Sequence, residues 1–180
     1  MRTLLAIFLV AQNAASIIPT WKDLETWNRY LESSAETEVG LGLQPGGPTG
    51  SAALSFTARF PGKSVRIPAK EIIVGTALGP NFNSTVIRAP QLTFLLDEGR
   101  PKWTVMDFTP RFIGDELIPT RNLTSGVARI TPDEYLRLTR VRALKANLLG
   151  VEVSFTRQQL DAMRAFARRA IGTPVTRSLQ

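Results

Sequence analysis

The 180-residue chain contains no histidine and no cysteine. The missing histidine excludes a Ser-His-Asp triad and the general base that enzymes use most often near neutral pH. Together the two absences exclude zinc sites with nitrogen or sulfur ligands, and a haem held by histidine or cysteine. Without disulfides, the fold depends on its core alone. We therefore expect no cofactor and no metal site of these kinds.

Motifs for other kinds of catalysis are also scarce. The chain has no Ser-x-x-Lys and no Gly-x-Ser-x-Gly sequence. The glycine-rich segment places Pro45 where a dinucleotide-binding loop that began at Gly40 would need its third glycine. Asp107, in an apolar strand context, is the most interesting acid, but a structural ion pair with Arg111 or Arg88 is the favoured interpretation. The acids considered for a carboxylate pair are Asp97, Glu98, Asp107, Asp115 and Glu116. We predict that the protein is not an enzyme.

The first 16 residues have the pattern of an export signal. Arg2 is followed by an apolar run over residues 4–10 and by the small residues Ala14, Ala15 and Ser16. The run is far shorter than the roughly 20 residues needed to span a bilayer. We predict a leader over residues 1–16 that is cleaved or retained as an anchor, although an apolar helix packed in the core is an alternative. The predicted location is the bacterial periplasm, free or associated with the membrane.

The composition favours one folded domain after the leader. Hydrophobic residues make up 43% of the chain, with three Trp and nine Phe. A chain of this size buries a self-sufficient core. We predict a single β-rich domain over residues 17–172 and a loose tail over residues 173–180. The predicted class is α+β, with an antiparallel sheet that forms a sandwich or a curled barrel and amphipathic helices near both chain ends.

Periodicity assigns the individual elements. An apolar stripe of Trp21, Leu24, Trp27 and Leu31 predicts a helix from Thr20 to about Ser33. The glycines and prolines between Ser34 and Gly50 predict a linker. Two capping boxes predict a short helix after Thr131, ending near Arg140, and a last helix after Thr156, ending at Gly172. Predicted strands cover Ala52 to Phe60, Ser64 to Ile67, Glu71 to Leu78, Gln91 to Leu96, Lys102 to Phe108, Asn122 to Ile130, Arg142 to Leu148 and Val151 to Phe155.

The positive charge is concentrated near the C-terminus. The net charge is +7, and the segment from Glu134 onward carries nine basic and three acidic residues. On the last predicted helix, Arg157, Arg164, Arg168 and Arg169 are the candidate contacts with an anionic partner. A one-sided basic face attracts an anionic membrane surface or an acidic protein partner. Nucleic acid is not expected as a partner of an exported protein.

Three function hypotheses follow. The first is a non-catalytic exported structural or interaction protein, an accessory subunit docked on a bacterial membrane complex. The second is a periplasmic carrier of an apolar ligand, a lipid or a pigment, held by a sheet curled around Phe56, Phe94, Trp103 and Phe108. The least favoured is a carboxylate-dependent hydrolase that uses Asp107 or Glu116.

Overall fold

A computed structural model describes residues 24–46, 52–65, 67–78, 91–97, 100–105, 108–113, 122–148 and 150–172. This part of the chain is mostly antiparallel β-sheet with two helices. The elements are β1 (Leu24–Leu31), β2 (Glu36–Leu43), β3 (Ala52–Pro61), β4 (Ile72–Leu78), β5 (Leu92–Leu96), β6 (Arg100–Thr104), β7 (Thr109–Ile113), β8 (Asn122–Ile130), α1 (Pro132–Thr139), β9 (Leu144–Leu148), β10 (Val151–Ser154) and α2 (Arg157–Ala170).

The strands form two antiparallel sheets. One is six-stranded in the order β1-β2-β3-β4-β8-β7, and the other is four-stranded in the order β10-β9-β5-β6. Backbone hydrogen bonds in both directions between Gly46 and Ser154 link the chain after β2 to the end of β10. One hydrophobic cluster takes buried residues from both sheets and both helices. The predicted antiparallel sheet structure is thus confirmed in the part of the chain that the structure describes.

Aromatic contacts join the helices to the larger sheet. The Tyr135 ring on α1 meets Phe56 of β3 edge to face, with centroids 4.8 Å apart, and Phe166 of α2 at 5.3 Å. The buried Tyr135 hydroxyl donates a hydrogen bond to the Met163 carbonyl oxygen at 3.1 Å. Burial raises the pKa of this phenol well above its ordinary value. These contacts fix α1 and α2 on the inner face of the larger sheet.

Several predicted elements are confirmed because their signals are local. In β3, alternate residues from Leu54 to Phe60 are buried, as the period of two requires. The β5–β6 hairpin forms, although β6 ends at Thr104 rather than at Phe108. Both predicted capping boxes are present, at Thr131 and at Thr156. Strands β4, β8, β9 and β10 also lie within their predicted ranges.

The helix predicted from Thr20 to about Ser33 is wrong over its described residues, which form strand β1. Leu24, Trp27 and Leu31 are half-buried at helical spacing, but β1 is an exposed edge strand in which Trp27 and Leu31 share one face. Pairing with β2 places Trp27 beside Gly40, where a Cβ atom would overlap the indole ring. This tertiary contact overrides the periodicity. The predicted helix near the N-terminal end is therefore absent from the described residues, and only the one near the C-terminal end is found.

The linker predicted from Ser34 to Gly50 is also wrong, because residues 36–43 form β2. This strand pairs with β1 on one side and with β3 on the other. Gly40 and Gly42 are buried in its interior. Glycine weakens a strand because it has no side chain to pack, but the Trp27 ring covers Gly40. An aromatic residue packed over a cross-strand glycine compensates for the missing side chain.

The short strand predicted from Ser64 to Ile67 is wrong in its described residues, which lie in a bend after β3. Gly62 turns the chain with φ of +79°, a conformation that glycine adopts without strain. The following backbone contacts a helix instead of a strand, because Ala69 N–H donates to the carbonyl of Ala170 at 2.8 Å. Among the described residues, no helix has the length and hydropathy needed to cross a membrane.

Candidate functional site

The outer face of the larger sheet carries a buried carboxylate. The cross-strand neighbours of Glu38 are Arg29 on β1 and Arg59 on β3. Glu38 Oε1 accepts from Trp27 Nε1 at 2.9 Å and from Arg29 Nη2 at 2.8 Å, and Oε2 accepts from Arg59 Nε at 3.1 Å. The Glu38 residue is only 3% exposed. We call Trp27, Arg29, Glu38 and Arg59 the Glu38 cluster.

The electrostatics of the Glu38 cluster favour the ionised carboxylate. Burial raises the pKa of Glu38, but hydrogen bonds from Arg29 and Trp27 and the charges of Arg29 and Arg59 outweigh this effect. The pKa of Glu38 therefore lies below its ordinary value. A carboxylate held in this way is a poor proton carrier near neutral pH, because catalytic acids and bases need a pKa close to the working pH. The cluster joins β1, β2 and β3.

The four candidate arginines on α2 differ in their surroundings. Arg157, Arg168 and Arg169 are exposed. Arg164 bonds within the protein: its Nε donates to the Thr139 carbonyl at 3.0 Å, its Nη2 to the Val141 carbonyl at 2.9 Å, and its Nη1 to Asp161 at 2.6 Å. Carbonyls at a helix C-terminus lack intrahelical partners. Arg164 thus ties the end of α1 to α2, while the other three arginines face solvent.

A loop beside the C-terminal end of α2 carries exposed apolar side chains. Val65 and Ile67 are 36% and 54% exposed, and Tyr30 on β1 is 38% exposed. These three are the large exposed hydrophobic residues of the described chain. The Lys63 ammonium lies 5.5 Å from the centroid of the Tyr30 ring, which is cation–π distance. Sequence reasoning missed this surface, although residues 63–70 contain three basic residues with apolar residues between them.

A groove of about 450 Å³ opens between β6 and the end of β8. Trp103 lines it and stacks on Phe94, with ring centroids 5.6 Å apart. Both carboxylates in its lining bond to neighbours: Glu71 pairs with Arg129 at 3.3 Å, and Glu134 closes the capping box at Thr131. The groove is lined by Lys70, Glu71, Trp103, Thr104, Val105, Arg129, Ile130, Thr131 and Glu134. Each acid therefore already has a bonding partner within the fold.

The four side chains proposed to surround an apolar ligand do not all line one groove, although Phe94 and Trp103 stack on each other. Phe56 belongs to the larger sheet and Phe94 to the smaller one, and both are fully buried. Phe56 packs on Tyr135, and Phe108 lies against Gly126 on β8. Trp103 alone among the four lines the groove. The carboxylates considered for catalysis, Asp107, Asp115 and Glu116, lie outside the described residues, as does Glu98.

Asp97 is the one described member of that acid set, and it has a structural role. Its Oδ1 accepts from the backbone N–H of Arg142 at 2.7 Å and of Ala143 at 3.3 Å. Asp97 adopts a φ of +44° at the β5–β6 turn. Within the described ranges, no group of three or more acidic side chains is placed to hold a metal ion.

Comparisons with protein-family models, with curated proteins and with solved structures found no match to this chain.

Proposed function

We propose that this protein is a non-catalytic interaction protein of the bacterial periplasm, an accessory subunit docked on a membrane protein complex. The observation that carries the proposal is the surface at the end of α2. Exposed Arg168 and Arg169 lie in the last turn of a helix whose final residues bond to a loop with exposed Val65 and Ile67. Exposed apolar groups rimmed by charge mark interaction surfaces. The export-type leader and the absence of histidine and cysteine agree with this function.

The experiment is a pull-down of the full chain from native membranes, with crosslinking and identification of the recovered proteins. We expect one membrane protein complex to be recovered repeatedly in low salt. Recovery should fall in 0.5 M salt and in the double variant Arg168→Glu/Arg169→Glu, because surface electrostatic attraction is screened by salt. A protein that purifies alone under all these conditions contradicts the proposal. N-terminal sequencing of the recovered chain determines whether the leader is retained.

A carrier of an apolar ligand is the second candidate, and one observation favours it. Trp103, Val105 and Ile130 give the groove beside β6 an apolar part, and its volume of about 450 Å³ lies in the range of small-molecule sites, while the other six lining residues are polar or charged. Native mass spectrometry of the protein purified without detergent tests it, because a carrier retains a ligand of constant mass. Trp103→Ala should then reduce ligand occupancy, while Tyr30→Ala, on β1 and outside the groove lining, is the comparison. A constant bare-protein mass removes this candidate.

We also propose that the two sheets pack as an open sandwich rather than as a closed barrel. The Gly46–Ser154 bridge joins the sheets at one side. The groove separates Thr104 of β6 from Ile130 of β8 at another side. A barrel needs continuous strand pairing around its circumference. Both observations agree with sheets that are joined along one edge only.

A further inference from the structure

The loop over residues 62–70, which the structure describes except for residue 66, connects two distant parts of the chain. At its start, the Gly62 N–H donates to the Ala35 carbonyl at 2.9 Å, and the Gly62 carbonyl accepts from the Thr37 hydroxyl at 2.7 Å. At its end, Ala69 is hydrogen-bonded to Ala170 of α2. The loop therefore lies across one end of the molecule, from the β1–β2 hairpin to the last turn of α2.

Apolar and cationic side chains share this end. Val65 and Ile67 are exposed on the loop, and Lys63 lies over the exposed Tyr30 ring. The exposed cations are Lys63 and Lys70 on the loop, and Arg168 and Arg169 in the last turn of α2. The neighbouring β1–β2 hairpin adds Glu32 and Glu36. With the ion pair of Glu71 and Arg129 beside Lys70 counted as well, five cations against three acids leave this end net positive.

We infer that this end of the protein is a contact site for an anionic lipid membrane, with Ile67, Val65 and Tyr30 entering the interface and the four cations binding headgroup phosphates. The inference rests on the proposed function and deepens it, because it states how the subunit contacts the bilayer. Aromatic and aliphatic side chains next to lysine and arginine suit the boundary between headgroups and acyl chains. Each basic residue near an anionic surface adds to the attraction.

The surface is too small to be the whole interface with a membrane protein complex, and its size suits contact with the lipid beside that complex. A standard protein–protein interface takes about 20–30 residues from each side. The loop together with Tyr30, Arg168 and Arg169 supplies about half of that. A small surface that combines apolar residues with cations suffices for reversible binding to anionic lipid, because the two contributions add.

The experiment measures sedimentation of the full chain with vesicles of phosphatidylcholine alone or with 30% phosphatidylglycerol, a composition chosen for its negative surface potential. We expect binding only to the anionic vesicles, and a loss of about tenfold or more in the double variant Arg168→Glu/Arg169→Glu. The matched control is Arg137→Glu/Arg142→Glu, which makes the same charge change at exposed positions on and after α1. All variants keep the same N-terminus, so the leader contributes equally.

The apolar part is tested by Val65→Ser/Ile67→Ser in the wild-type background. We expect this variant to bind anionic vesicles several-fold more weakly while its thermal midpoint stays unchanged, because both side chains are exposed. Equal losses in the two charge-reversed variants would overturn a localised site, as would equal binding to neutral and anionic vesicles. Vesicle binding without a recovered membrane complex would contradict the accessory-subunit function alone. A recovered complex without vesicle binding would overturn the lipid site alone.

Discussion

The Glu38 cluster and the C-terminal end of α2 both hold two arginines, yet they use them differently. At Glu38, Arg29 and Arg59 from neighbouring strands bond to a buried carboxylate. At the end of α2, Arg168 and Arg169 point into solvent beside exposed apolar residues. An arginine whose partner is already inside the fold contributes to stability, whereas an arginine without such a partner is free to bind a ligand. Charge counts along the sequence do not separate these cases.

The largest effect is expected at Glu38. Glu38→Ala removes the acceptor shared by Trp27, Arg29 and Arg59 and leaves a gap beneath them. We expect a loss of about 2–4 kcal/mol in the free energy of unfolding, measured by urea titration, because the substitution removes the hydrogen bond from Trp27 and the charge-assisted hydrogen bonds from Arg29 and Arg59. The control is Glu152→Ala, which breaks an exposed pair with Lys145 and should change stability by less than about 1 kcal/mol. Equal effects would remove the distinction between the two kinds of carboxylate.

The next effect concerns the glycine under Trp27. Gly40→Ala adds a Cβ atom that overlaps the indole ring, so the ring must move away from its hydrogen bond with Glu38. We expect a loss of about 1–3 kcal/mol, typical of overpacking. Tryptophan fluorescence should shift, because the exposure of the indole changes. If Gly40→Ala instead stabilises the protein, as alanine can where glycine adds only chain entropy, the Trp27–Gly40 contact is wrong.

Arg164 and Arg168 give a smaller contrast on one helix. Arg164→Ala removes hydrogen bonds to two carbonyls at the end of α1 and should destabilise the protein by about 1–2 kcal/mol. Arg168→Ala is an exposed substitution and should stay within about 0.5 kcal/mol. Thermal unfolding of both variants measures the difference. Vesicle binding should show the reverse order, since only Arg168 faces the proposed membrane. If the same variant shows the larger loss in both thermal stability and vesicle binding, Arg164 and Arg168 do not have these separate roles.

The smallest expected effect is the pH dependence from Glu38. Its pKa is lower in the folded protein than the usual value of about 4.3 in the unfolded chain. Its stabilising contribution is therefore complete above the unfolded pKa and is lost as pH falls through the folded pKa. Compared with Glu38→Gln, the wild-type protein should keep a constant advantage from pH 7 to about 5 and lose part of it below about pH 4. If the stability advantage of the wild-type protein over Glu38→Gln grows on acidification, folding raises the pKa of Glu38 instead of lowering it.

The elements predicted correctly depend on short-range signals. The capping boxes at Thr131 and Thr156 each lie within four residues, and the period of two in β3 is complete within one strand. Strands β1 and β2 were missed because their signals are not local. The helical spacing of Leu24, Trp27 and Leu31 is as regular as that of a true helix. The glycines of β2 predict a loop until the Trp27 ring is placed over one of them.

The residues of the candidate site divide in the same way, into those that short-range signals place and those that only tertiary contacts place. The sequence placed Arg168 and Arg169 on the last helix, and the structure shows both of them exposed there. The sequence could not show that Arg164 bonds to Thr139 and Val141, because those carbonyls lie more than 20 residues earlier in the chain. Nor could it place Ile67 beside the end of α2. The membrane-docking role of these arginines stays a prediction until vesicle binding is measured.

The sequence by itself determined that histidine and cysteine chemistry is absent, that β3 has one buried face, and that α2 begins at a capping box with a buried apolar stripe. The tertiary structure alone decided that Glu38 is buried between two arginines and that Arg164 is held inside the fold. It also placed the loop over residues 62–70 against the last turn of α2. The physical reason is range: caps and periodicities act within a few residues, whereas the burial of a charge depends on which distant strands and helices pack around it.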